Sequence, residues 1–144
     1  MRKIKQVLLT AAIIGVIFQS GLAQKAGSHE AEFKEFYANF LSASRANDKE
    51  KIADMIAFPV DSWSVDRKGD VRTEPIKDKA EFLSKYTTYF TANMRMHIPK
   101  AKLKALDDGG YFISWRDANS EFSFDFAYVE GTGYRIRYFS IGPW

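Results

Sequence analysis

His29 and His97 are the two imidazoles of this chain, and it contains no cysteine. Proton transfer near neutral pH would therefore fall to one of these rings, or to a carboxyl whose pKa is raised by burial. The lack of cysteine excludes disulfides, thiolate metal sites and a cysteine nucleophile. There is no HExxH, no GxSxG and no glycine-rich phosphate loop, so no metal and no cofactor is expected. Two acids merit attention for their surroundings: Asp61 in "FPVDSWSV" and Asp125 in "FSFDFAY". An acid among rings is useful only if it faces a dry cavity, so the question passes to the elements that aim these residues.

Phe33, Phe36, Tyr37, Phe40, Leu41 and Ser44 recur at i, i+3, i+4, i+7, i+8 and i+11, which predicts a helix with one apolar face. Ser28 is its expected cap. A second helix is predicted from "NDKE", with Asn47 as cap and Ile52, Met55 and Ile56 buried. Pro59 should end it at Phe58 and begin a strand. "VDSWSV" and "VRTEPI" around "DRKGD" read as a hairpin. A third helix is predicted in "DKAEFLSKYTTYF", capped by Asp78, with Phe82, Leu83, Tyr86, Tyr89 and Phe90 inward.

From residue 93 the pattern alternates with period two, and "DDGG", "DANS" and "EGTG" supply turns. Four antiparallel strands are predicted. Turns at Asp107–Gly109, Ala118–Asn119 and Gly131–Gly133 pair Leu103 with Ile113, Trp115 with Phe122, Tyr128 with Ile136 and Phe126 with Tyr138. One face then carries Ala101, Leu103, Ala105, Tyr111, Ile113, Trp115, Phe122, Phe124, Phe126, Tyr128, Tyr134, Ile136 and Tyr138. The other carries Lys100, Lys102, Lys104, Arg116, Arg135 and Arg137, with Glu121 and Asp125 as acids and Phe112 and Phe139 among them. Met94, Met96 and Ile98 have the opposite parity to Ala101, Leu103 and Ala105. A bulge or bend beside Pro99 is expected to resolve this conflict. That arrangement turns His97 outward.

The N-terminus has a basic "MRKIKQ", an apolar "VLLTAAIIGVIF" and small residues Gly21 and Ala23 before Gln24. This is the layout of an export signal cleaved after Ala23, and the apolar run is short of the roughly 20 residues a membrane span needs. The chain has 21 Lys and Arg against 18 Asp and Glu. Arg2, Lys3 and Lys5 belong to the signal, so the remainder is formally neutral and overall basicity gives no argument for nucleic acid. The expected organisation is a signal over 1–23, a short leader over 24–28 and a single α+β domain over 29–144. The exported product is expected in the periplasm or the medium, with no membrane contact after processing.

"FxxFYxxFL" at 33–41, a second helix ending in "FP", a hairpin, "IxDKxEFL" at 76–83 and a bent four-strand sheet follow in order. This succession resembles the nuclear transport factor two-like superfamily, which includes ketosteroid isomerase, scytalone dehydratase and polyketide cyclases, and in particular its small secreted bacterial members. The resemblance implies about three helices packed in the concave face of a curved, mostly antiparallel sheet, with a pocket at the open end of the cone. It also implies that enzymes of this kind place an acid–histidine or acid–tyrosine pair inside, and that many members dimerise through the sheet.

These readings converge on an exported, non-catalytic module that binds a small apolar or aromatic ligand or a protein. Its expected cavity is lined by Trp63, Tyr111, Trp115, Phe124, Tyr128 and Tyr138. One alternative is an isomerase, dehydratase or cyclase using His97 or Asp61 in the cone. Another is a homodimer joined through the basic sheet face of Lys100, Lys102, Lys104, Arg116, Arg135 and Arg137. Period two puts Asp61 and Trp63 on one face, so they enter the cone together or leave it together. Asp125 is expected outside, paired across strands with Arg137.

Overall fold

The computed structural model describes residues 20–65, 68–118 and 121–142. Residues 1–19, which hold the basic and apolar parts of the expected export signal, lie outside them, as do 66–67 and 119–120, on which two of the expected turns partly fall, and 143–144. Helix α1 spans Ser20–Ala46, with Ser28 inside it, and α2 spans Lys49–Asp54. Strands β1 (Ile56–Val65) and β2 (Val71–Ile76) precede α3 (Lys79–Ser84), α4 (Tyr86–Tyr89) and α5 (Ala92–His97). A 3-10 turn at Ile98–Lys100 leads to β3 (Lys102–Ala105), β4 (Tyr111–Arg116), β5 (Glu121–Val129) and β6 (Gly133–Ile141). One six-stranded sheet results, in the order β2-β1-β6-β5-β4-β3. It is antiparallel except where β1 runs parallel to β6. The fold is α+β, as expected, with the helices on one face of an open sheet. No helix among the described residues is long and apolar enough to cross a membrane.

The core joins α1 to the sheet through rings. Phe40 is fully buried and meets Phe124 and Phe126 edge-on at 5.4 and 5.3 Å. Phe82, Tyr86, Tyr89 and Phe90 are buried, as expected, and close the other half over Phe139 and Phe124. Their helix is broken at Lys85 into α3 and α4. Asp78 caps α3, accepting from the Glu81 N–H at 2.9 Å, while the Glu81 carboxylate accepts from the Lys77 N–H at 2.9 Å. Two otherwise open backbone donors are thus satisfied at one helix start. Asp78→Ala should cost about 1 kcal/mol in urea unfolding.

Glu81 also pairs with Lys85 at 2.8 Å. The Lys85 ammonium, followed by the Lys77 N–H, holds the Glu81 carboxyl below its ordinary value. A carboxyl lowered in the folded state stabilises above its unfolded pKa, and that contribution fades as pH falls through the lowered one. The stability gap between wild type and Glu81→Gln should accordingly be present at neutral pH and close in acid. A gap that stays constant with pH would contradict this.

Three local expectations are corrected. Residues 92–98 are helical instead of extended, because Met94 and Ile98, both fully buried, lie four apart on one helical face and Thr91 caps the segment through the Met94 N–H. The parity conflict before Pro99 is the edge of a helix, and Met96 is 62% exposed. Second, the β5–β6 turn lies one residue earlier than expected, so Tyr128 faces Tyr134 and Phe126 faces Ile136. The register then shifts between Asp125 and Phe126. Beyond that irregularity Phe139 is buried inside, while Tyr138 stands opposite Asp125 on the outer face. Third, β1 begins before Pro59, and its ladder with β6 shifts between Ile56 and Asp61, where a residue lacking an N–H is tolerated. The pairings of Leu103 with Ile113 and Trp115 with Phe122 are as expected, and Arg116 lies opposite Glu121.

Candidate functional site

Four of the expected lining residues lie on the inner side of the sheet, where residues of α1 pack on three of them and α5 packs on the fourth. The Phe33 ring stacks on Tyr111, with centroids 3.4 Å apart and planes 2° from parallel. Phe124 is fully buried among Phe40, Phe90 and Phe122. Tyr128 lies partly buried under His29 at 4.0 Å and beside Tyr134. Trp115 carries His97 over its ring at 4.7 Å, and its Nε1 is buried with no partner among the described residues. The aromatic cluster is therefore real, and its members pack on one another.

Trp63 and Tyr138, expected inside, stand on the outer face. Val60 and Ser62 are the buried partners of β1, so Asp61 and Trp63 leave the cone together. Asp61 is exposed and lies opposite Tyr138, and Trp63 lies opposite Ser140. His97, expected to face outward, instead lies against Trp115 because residues 92–97 are helical, with Nδ1 2.9 Å from the Asn93 carbonyl oxygen. The two weak catalytic candidates are thus on opposite faces of the sheet and cannot act as one acid–base pair.

The outer face is less basic than its sequence suggests. Arg116 pairs with Glu121 at 2.9 Å, and Arg137 pairs with Asp125 at 3.1 Å and with Asp108 at 3.7 Å. The Asp125–Arg137 pair is as expected. Arg135 donates to the Tyr134 carbonyl oxygen. Lys102 and Lys104 project from the edge strand, and neither makes an ion pair among the described residues. Lys100 is not on this face at all, because the 3-10 turn carries it to the helical side.

There Lys100 joins residues that the period-two reading could not assemble. Two open grooves adjoin along α5, sharing Ala92 and Arg95. One, of about 570 Å³, is walled by Arg45, Arg95, Met96, Pro99 and Lys100. The other, of about 500 Å³, is walled by Asn47, Lys49, Tyr86, Thr87, Thr91 and Arg95. Helical spacing explains one wall: Ala92, Arg95, Met96 and Pro99 follow at i, i+3, i+4 and i+7. Reading Thr91 as a cap and Met94 with Ile98 as a buried pair would have revealed this stripe.

The opposite wall is set by a corner. Asn47 has φ of 55°, and the Asp48 N–H reaches the Ala43 carbonyl while the Asn47 N–H reaches that of Ser44. This left-handed closure ends α1, and asparagine tolerates it better than most residues. Asp48, one residue later than expected, is then the cap of α2, accepting from the Lys51 N–H. The Tyr86 hydroxyl donates to Asn47 Oδ1 at 3.0 Å and ties the corner to α4. Burial pushes the Tyr86 phenol up, partly offset by the neighbouring Arg95 guanidinium, so it remains a neutral donor. Asn47→Ala loses both the left-handed tolerance and this bond and should cost about 1–2 kcal/mol. Asn47→Gly should cost less, because glycine keeps the conformation. Comparing their urea midpoints tests the order.

Arg95 is fixed by donating from Nη1 to the Phe90 carbonyl oxygen at 2.6 Å. Among the described residues, no ion pair involves Arg45, Lys49, Arg95 or Lys100. By contrast, Lys34, Lys79 and Lys85 pair with Glu30, with Glu50 and Asp54, and with Glu81. The trough therefore concentrates cations that make no ion pair among the described residues, with the Asp48 carboxylate close enough to act on Tyr86 in the same wall.

The chain is similar to several solved structures. A nuclear transport factor 2 (NTF2-like) superfamily protein from Salmonella enterica serovar Typhimurium is 11% identical, over 81% of this chain and 92% of that one, with a TM-score of 0.47. An NTF2-like protein with a cystatin-like fold from Novosphingobium aromaticivorans is 10% identical, over 90% and 92%, with a TM-score of 0.48. An NTF2-like protein of unknown function from Shewanella baltica is 11% identical, over 85% and 96%, with a TM-score of 0.47. No family model and no curated protein matches the chain.

Proposed function

We propose that this protein is an exported, non-catalytic binding module whose ligand site is the cationic trough beside α5, and that its ligands are anionic. The observation that carries this reading is the grouping of Arg45, Lys49, Arg95 and Lys100 around adjoining grooves, with no ion pair to any of them among the described residues. An unpaired, largely solvated cation costs the fold little, and several together attract an anion over a Debye length of about 8–10 Å. The aromatic cluster supports the module as its core, with rings of α1 packed on Tyr111, Phe124 and Tyr128. Fluorescence anisotropy of labelled hexaglutamate tests the reading: binding that weakens steeply with added salt is expected, and no binding at low salt would overturn it.

Export follows from the layout of residues 1–23. Intact mass of the protein secreted by its native host should correspond to an N-terminus at Gln24, and retention of Met1 would contradict that.

A second reading is favoured by one feature of the outer face. Trp63 and Tyr138, both only partly buried, stand there uncovered by any helix of the described residues, with Lys102 and Arg137 on the same face. Pairing of two copies through this face predicts a dimer by light scattering that Lys102→Glu with Arg137→Glu reduces to a monomer. An unchanged mass would contradict it.

A further inference from the structure

We infer that the trough takes an acidic segment of another protein that carries an apolar side chain, docked in extended form with that side chain against Met96. This inference rests on the trough being the binding site. The charges favour a chain over a small ion. They do not converge on one point: Arg45 and Lys100 line one groove, Lys49 lines the next, and Arg95 belongs to both. Successive carboxylates of an acidic chain match such a distribution, whereas a single small anion would meet only part of it.

The apolar wall then narrows the kind of chain. Met96 is 62% exposed beside Ala92 and Pro99, an adaptable apolar floor between cations. Sugars and nucleobases are held largely by stacking on exposed ring faces. The rings at this trough, Tyr86 and Phe90, are 4% and 0% exposed, so they offer no such platform. A leucine or similar side chain within an acidic peptide satisfies both the cations and the thioether. The hydroxyls of Thr87 and Thr91 remain beside the path for backbone carbonyls.

Three labelled probes of equal charge decide the matter: hexaglutamate, the same peptide with one central leucine inserted, and an oligouronate. The leucine peptide is expected to bind at least about fivefold more tightly than hexaglutamate, from partial burial of its side chain. Met96→Ser should bring the ratio of the two peptides' affinities to within about twofold. Equal affinity for the two peptides would overturn the inference while leaving the trough as an anion site. Binding of the oligouronate alone would overturn it in favour of an acidic glycan. Binding of none of the three would overturn the trough reading itself.

Discussion

Phe40→Ala is expected to destabilise the fold by about 3–5 kcal/mol, the largest effect of any single substitution considered. Phe40 is fully buried in the C-terminal half of α1 and packs edge-on against Phe124 and Phe126 from the middle of β5. Removing its ring leaves a cavity that a helix held by Phe33 on the same stripe cannot close by sliding inward. Urea unfolding should show a lower midpoint with an unchanged slope. Met96→Ala, at an exposed position, should shift stability by no more than about 0.5 kcal/mol. A loss below about 1.5 kcal/mol for Phe40→Ala would mean that α1 is not seated on the sheet as described.

The second large effect concerns binding. Arg45→Glu with Lys100→Glu replaces two attractions by two repulsions in one groove, and should weaken hexaglutamate binding about 100-fold, or ~2.7 kcal/mol. Neither side chain makes a hydrogen bond or ion pair among the described residues, so thermal unfolding should change by only about 1 kcal/mol, part of it from an acid in the last turn of α1. The same reversal at Lys102 and Lys104 on the sheet edge should leave peptide affinity within about twofold, because these lysines face away from the trough. Equal sensitivity at both places would indicate a diffuse charge effect instead of a site.

The parts of this molecule legible in its sequence are those with long, unambiguous periods. The stripe from Phe33 to Phe40 is helical, and the alternation in "YFISWR" and "EFSFDFAYV" fixes β4 against β5 and brings Asp125 to Arg137. What escaped were the short segments. "ANMRMH" alternates like a strand over six residues, and only the cap at Thr91 and the burial of Met94 with Ile98 reveal its helix. The trough followed from that misreading, since Arg95 and Met96 share a wall only on a helix. Tyr138 and Phe139 exchanged faces because one irregularity in β6 reverses everything beyond it, and no residue type announces where a ladder will slip. Trp63 shows a further limit. Period two tied it correctly to Asp61, but which face was inner depended on Val60 and Ser62, and a lone serine gives little sign of being buried.

The proposed site puts ligands on the helical side of the molecule, beside α5, and on neither the aromatic interior nor the outer sheet face. Amide chemical shifts during titration with the leucine-bearing acidic peptide address this most directly. The largest changes are expected on Arg45 and Lys49, at the end of α1 and start of α2, and on residues 91–100. Changes centred instead on Tyr111, Trp115 and Tyr128, or on Lys102, Lys104 and Arg137, would contradict it.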